Sequence, residues 1–164
     1  MGGYRIMYKY IGLAVLFLSS VYIGQIIAAS YKTSVKQIDA FIHFVKHIKS
    51  QIEHYNTSYP DIFNKYSNKI LEQTGFITKL RNENWNTALV NSVFAFDNNI
   101  KDILYNFGND LGKTMKEEAI VNCSYTVDQL LLHYNTLKSD LPKKNKLCIS
   151  LSLMVGLSTV IILI

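Results

Sequence analysis

Two stretches without a charged side chain, one at each end, constrain this sequence more than any other feature. Residues 10–31 and residues 147–164 contain no Asp, Glu, Lys or Arg. As helices rising 1.5 Å per residue they measure about 33 Å and about 27 Å, the first ample for a bilayer and the second at the short end of the usual range. A chain of 164 residues has room for one modest domain, and these segments take about a quarter of it away from any water-soluble core. The expectation is therefore an integral membrane protein in three parts: a transmembrane helix at 10–31, a helical domain at 32–146 and a second transmembrane helix at 147–164.

The formal charge of +5 raises the question of nucleic acid, and its distribution answers it. All 12 acidic residues fall between positions 39 and 140, while Arg5, Lys9, Lys32, Lys36, Lys143, Lys144 and Lys146 flank the apolar segments. Without those seven the chain holds 10 basic against 12 acidic residues. The basic balance thus belongs beside lipid head groups, and membrane lipid, not nucleic acid, is the expected partner. A cleaved signal peptide competes for the first segment, with Arg5 and Lys9 as its basic start and Ala28-Ala29-Ser30 as a cleavage site. The apolar run is long for that role. The lysines crowded on the inner flanks also favour a cytoplasmic middle, with both termini across the membrane.

Within the middle, Val35, Ile38, Ile42, Val45, Ile48 and Ile52 recur every three or four residues, so the first helix is expected to continue as an amphipathic helix to about Tyr55, ended by Asn56-Thr57-Ser58. Pro60 suits the first turn of a following helix, and Gly75 suits a stop. Residues 67–84 are hard to read. Trp85, Ala88, Leu89, Val93 and Phe96 make one further stripe, and Ile100, Ile103, Leu104, Phe107 and Leu111 another. Thr114 with Glu117 has the pattern of a capping box opening a long return helix, in which Cys123, Val127, Leu130, Tyr134, Leu137 and Leu141 keep the four-and-three spacing of a packing seam. Pro142 is expected to kink or break that helix. The fold class is all-α: an antiparallel helical bundle with two long helices running into the terminal transmembrane helices and short helices closing the far end.

Little in the sequence points to catalysis. There is no G-x-S-x-G, phosphate loop, C-x-x-C or H-E-x-x-H, and no cofactor is expected. Asp39, His43 and His47 have metal-like i, i+4, i+8 spacing and support an alternative reading as a small membrane-bound metalloprotein. They lie opposite the Ile/Val stripe beside lysines, which favours a solvated polar face. Cys123 and Cys148 read as small buried hydrophobes. Gln25, Ser19 and Ser20 in the first span, and close packing at Gly12, Gly24 or Gly156, suit contacts with other helices, and a pore-forming oligomer is a third reading.

The order of these features resembles the stage III sporulation protein AB family, itself similar to F-type platform proteins of type II secretion systems. The most specific stretch is 103–114, where Phe107-Gly108, Leu111-Gly112 and Thr114 resemble the family's F-G-x-x-L-G-x-S/T signature. Trp85 with Ala88-Leu89, the Ser58-Tyr59-Pro60 start and the ending from Gly156-Leu157 to Leu163 support it. Met115 and Ala119 depart from the acid and the Gln common there. The resemblance implies a non-enzymatic platform or adaptor of the channel complex linking mother cell and forespore, whose cytoplasmic bundle contacts an ATPase of the AA type from the same operon and other membrane subunits. Phe107, Gly108, Leu111 and Gly112 are the candidate partner contact, weighed against a plain corner between helices.

Overall fold

The computed structural model describes residues 3–55 and 57–163, with the side chains of 3–11, 13, 160, 162 and 163 outside the description. Arg5 and Lys9, Asn56 at the expected helix end, and Ile164 therefore lie outside the described side chains or residues. The described residues are all-α. Two long helices, α1 (Gly3–Tyr55) and α7 (Lys116–Leu163), pack antiparallel, with α2 (Tyr59–Lys65), α3 (Lys69–Gln73), α4 (Phe76–Leu80), α5 (Trp85–Val90) and α6 (Asn98–Asp110) between them. The chain divides into two compact units, Thr33–Lys138 and the two chain ends.

In the unit Thr33–Lys138, the three-and-four spacing of α1 becomes a buried face: Val35, Ile38, Ile42, Val45, Ile48 and Ile52 are all buried. Phe41 and Phe44 are fully buried beside them, so the apolar stripe is wider than its aliphatic residues suggest. Opposite, α7 contributes Ala119, Cys123, Val127 and Leu130, while Tyr134 and Leu137 pack against the same cluster half-buried. Lys116 Nζ donates to the Glu53 carbonyl at 3.1 Å, tying the start of α7 to the end of α1.

The hard-to-read stretch becomes two helices of one turn each. Asn68 accepts hydrogen bonds from the backbone N–H groups of Ile70 and Leu71 and so caps α3. Gly75 then takes φ 80°, a left-handed conformation that costs glycine little, and its own carbonyl receives the Lys79 N–H in the first turn of α4. Asn84 caps α5 through the Thr87 N–H.

Three expectations are corrected. The stripe through Val93 and Phe96 is not one helix, because α5 stops at Val90. Val93 is exposed, whereas Phe96 turns inward from a loop that is held to α1 by the Ala95 N–H donating to buried Gln37 Oε1 at 2.8 Å. Thr114 is not the cap of α7. With Gly112 at φ 76°, the turn carries the chain one residue further, and the Met115 carbonyl accepts the first helical hydrogen bond, from Ala119. The Thr114 hydroxyl is buried with no hydrogen-bond partner among the described residues. Finally, of the kink or break expected at Pro142, the break does not occur. The proline is exposed within a 48-residue helix, which outlasts the loss of one backbone donor.

In the other unit the chain ends also pair antiparallel. Gly156 faces Phe17, Gly24 faces Ser152, and the Lys144 ammonium sits 4.8 Å from the centre of the Tyr31 ring. Ser20 Oγ donates to the Ser152 carbonyl at 2.7 Å. At Gly24 a Cβ would fall 2.0 Å from Ser152 Oγ, so a bare backbone is needed for this approach. By length and composition α1, over Ala14–Tyr55, can cross a membrane, and its most apolar window has mean hydropathy 1.6 with 6% buried. Among the described residues it is the one helix that meets this measure. The apolar end of α7 runs on past the described side chains.

Two outcomes follow from the core. Leu130 is 0% exposed, and Leu130→Asp, which puts a carboxylate there, is expected to cost more than about 3 kcal/mol, read as loss of the thermal transition in detergent. Burial pushes the Cys123 thiol up to about 11 from 9.0, against a smaller opposing pull from Lys49. Because the unfolded chain releases this proton first, stability is full below pH 9 and falls between about pH 9 and 11. In Cys123→Ala, thermal melts across that window should show a shallower fall.

Candidate functional site

The signature residues at 103–114 lie at the end of α6, and what they do is set by Trp85. The indole is buried, so its N–H needs an acceptor, and it donates to the Leu104 carbonyl at 2.8 Å. The ring lies parallel to Phe44 (centroids 5.6 Å apart, planes at 12°) and meets Phe76 and Phe107 edge-on at 5.1 and 5.2 Å. Phe63 closes a fourth side at 6.1 Å. Gly108 leaves room for this ring: a Cβ there would come within 2.1 Å of Trp85 Cδ1 and 2.4 Å of Asn86 Oδ1. Asn86 also donates to Asn109 Oδ1 at 2.6 Å, which fixes the start of α5 against the end of α6.

Of the candidate partner contacts, Phe107 is buried and Gly108 is covered by the indole, while Leu111 packs half-buried against the core. Gly112 is exposed and turns the chain toward α7, with the Tyr59 ring near its bare face. Burial raises the Tyr59 hydroxyl above its usual range, Cys123 adds to the rise, and a hydrogen bond with the Gly112 backbone opposes it. The geometry of this corner is that of an internal brace.

Asp39, His43 and His47 do not converge. His43 Nε2 is 3.9 Å from Asp39 Oδ2 on an open surface, and His47 rests on the Tyr66 ring at 5.1 Å. Among the described residues no group of three or more His, Cys, Asp or Glu is placed to hold a metal ion. Gly24 and Gly156, on which the oligomeric-pore reading leans, meet Ser152 and Phe17 of the same chain, and nothing among the described residues lies within 4 Å of a Cβ at Gly12.

An outward surface not singled out by sequence reasoning lies on α7. Val121, Tyr125 and Leu132 are 65%, 63% and 63% exposed, and their spacing puts them on one stripe opposite the face that carries Cys123, Val127 and Leu130. Glu117, Glu118 and Asp128 flank it. The signal is a second helical recurrence, at spacings of four and seven, in a helix whose stronger recurrence marks the core.

The family model described as stage III sporulation protein AB matches residues 9–164. The chain belongs to that family. Membership implies a role in sporulation. Comparison with curated proteins and with solved structures gave no match. In this member of the family, Phe107 and Gly108 of the F-G-x-x-L-G pattern serve the seating of Trp85.

Gly108→Ala is accordingly expected to destabilise the protein by about 1–3 kcal/mol through overpacking. Because Trp85 is the one tryptophan, its fluorescence should shift to the red as the indole is displaced toward water. An unchanged spectrum and melting temperature would remove the brace.

Proposed function

We propose that the protein is a non-enzymatic platform of the channel complex that links mother cell and forespore. Residues 10–31 and 147–164 span the mother-cell membrane, and residues 32–146 form a cytoplasmic bundle that contacts an ATPase of the AA type and other membrane subunits. Family membership over nearly the whole chain supports the setting. The observation that carries the adaptor role is the alignment of Val121 and Tyr125, one turn apart, with Leu132 two turns on, along one exposed face of α7, a pattern suited to apolar contact with a partner. Their acidic flank favours a partner surface that is apolar at its centre and basic at its rim. The second span is supported by the way α7 continues to Leu163 and by its serine and glycine contacts with α1.

Gentle detergent extraction and affinity capture of the full chain should recover the ATPase and at least one channel subunit. Replacing Val121, Tyr125 and Leu132 with Ser should reduce recovery of the ATPase by about tenfold while leaving the melting temperature nearly unchanged, since exposed substitutions shift stability by no more than about 0.5 kcal/mol. Recovery of neither partner with the unaltered chain rejects the adaptor.

A further inference from the structure

We propose that a second copy of this chain packs against the face of α1 that carries Leu18, Tyr22 and Gln25, with the two Gln25 carboxamides hydrogen-bonded to each other inside the bilayer. This rests on the reading of residues 10–31 as a membrane span.

The starting point is how the apolar segments treat their polar groups. Ser19, Ser152, Ser158 and Thr159 donate to carbonyls four residues back in their own helices, at 2.6 to 2.8 Å, and Ser20 donates to the Ser152 carbonyl. Those hydroxyls ask nothing of a neighbour. Gln25 differs. It is exposed, and no hydrogen bond satisfies its two N–H donors or its carbonyl among the described residues. Lys32, the first charge beyond the segment, lies seven residues on, about 10 Å along the helix, which leaves the amide inside the hydrocarbon and too deep for a short side chain to reach water. Left facing lipid, that amide is costly, and a helix that supplies both a donor and an acceptor at that depth removes the cost.

The occupant follows from chemistry and depth. A carboxamide is self-complementary, giving and receiving one hydrogen bond with its own copy across a two-fold axis. Two copies inserted with the same topology carry Gln25 at the same depth. Val15, Leu18, Tyr22 and Gln25 alternate spacings of three and four and are all exposed, which is the pattern by which parallel helices interlock. Leu18, Val21, Tyr22 and Gln25 line a shallow groove of about 460 Å³ on this face. The face toward α7 is already occupied, since Ser20 and Gly24 meet Ser152 there.

The test is disulfide scanning of the full chain in native membranes. Cys148→Ala removes the half-buried thiol, while Cys123 stays buried and protonated. On mild oxidation Leu18→Cys should give an adduct of twice the chain's mass, and Ile23→Cys, more than a quarter-turn away, should give far less. Adding Gln25→Leu should lower the Leu18→Cys adduct about threefold to tenfold, as expected for loss of an interhelical hydrogen bond in a bilayer, and Gln25→Asn should retain it. Equal yields at both positions, an adduct undiminished by Gln25→Leu, or linkage to a different protein overturns the pairing. Alkaline carbonate extraction of the same membranes separates the two readings. A chain that is retained but not cross-linked rejects the pair alone, whereas a chain released to the aqueous fraction rejects the span and the pair with it.

Discussion

Trp85 can be buried because the Leu104 carbonyl accepts its indole N–H and because position 108 has no Cβ. Much of the unit Thr33–Lys138 is arranged around that fact. The ring joins α1 through Phe44, α2 through Phe63, α4 through Phe76 and α6 through Phe107. Helices of five to seven residues are too short to be stable alone, since nucleation costs more than one turn returns, so α2, α3, α4 and α5 exist because each seats an apolar side chain in this common cluster. Aromatic pairs of this geometry contribute roughly 0.5–1.5 kcal/mol each beyond the area they bury, which favours one arrangement of these turns over others that bury equal area.

How far the fold was legible in the sequence depended on the length of each element. The face of α1 repeats over five turns, and all six residues of its aliphatic stripe are buried. Residues 67–84 could not be read because a one-turn helix completes no period. Their usable signal was local and different in kind: Asn68 and Asn84 as caps and Gly75 as a left-handed turn. The capping-box pattern at Thr114 and Glu117 failed because tertiary geometry intervened: the left-handed turn at Gly112 makes Met115 the first carbonyl acceptor of α7. Val93 fits a helical stripe only if α5 continues, and the chain leaves α5 at Asn91.

The candidate site was legible as a constraint but not as a role. Two glycines four apart beside Phe107 mark a place where backbone and side chain must come close, yet sequence alone does not say whether the approaching group is foreign. Here it is Trp85, some twenty residues earlier in the same chain. The outward stripe on α7 was hidden for another reason. A helix with apolar residues on opposite faces loses its clear amphipathic direction, so the stronger recurrence through Cys123, Val127 and Leu130 masked the one through Val121, Tyr125 and Leu132.

The chain ends follow a different economy from the bundle. In lipid the hydrophobic effect supplies no attraction between helices, and association falls to close packing and hydrogen bonds. The contacts between α1 and α7 in this unit are of that kind: Gly24 under Ser152, Gly156 against Phe17, and one hydroxyl donated across the pair. An approach this close requires small residues at matched heights, and a single Cβ at Gly24 would meet Ser152. On the proposed placement of these ends in a membrane, the polar groups they leave over are the ones that matter. The hydroxyls at Ser19, Ser20, Ser152, Ser158 and Thr159 donate within the chain, whereas Gln25, with two donors and an acceptor, shares an exposed face of α1 with Tyr22, and that face is where the proposed contact between copies is placed.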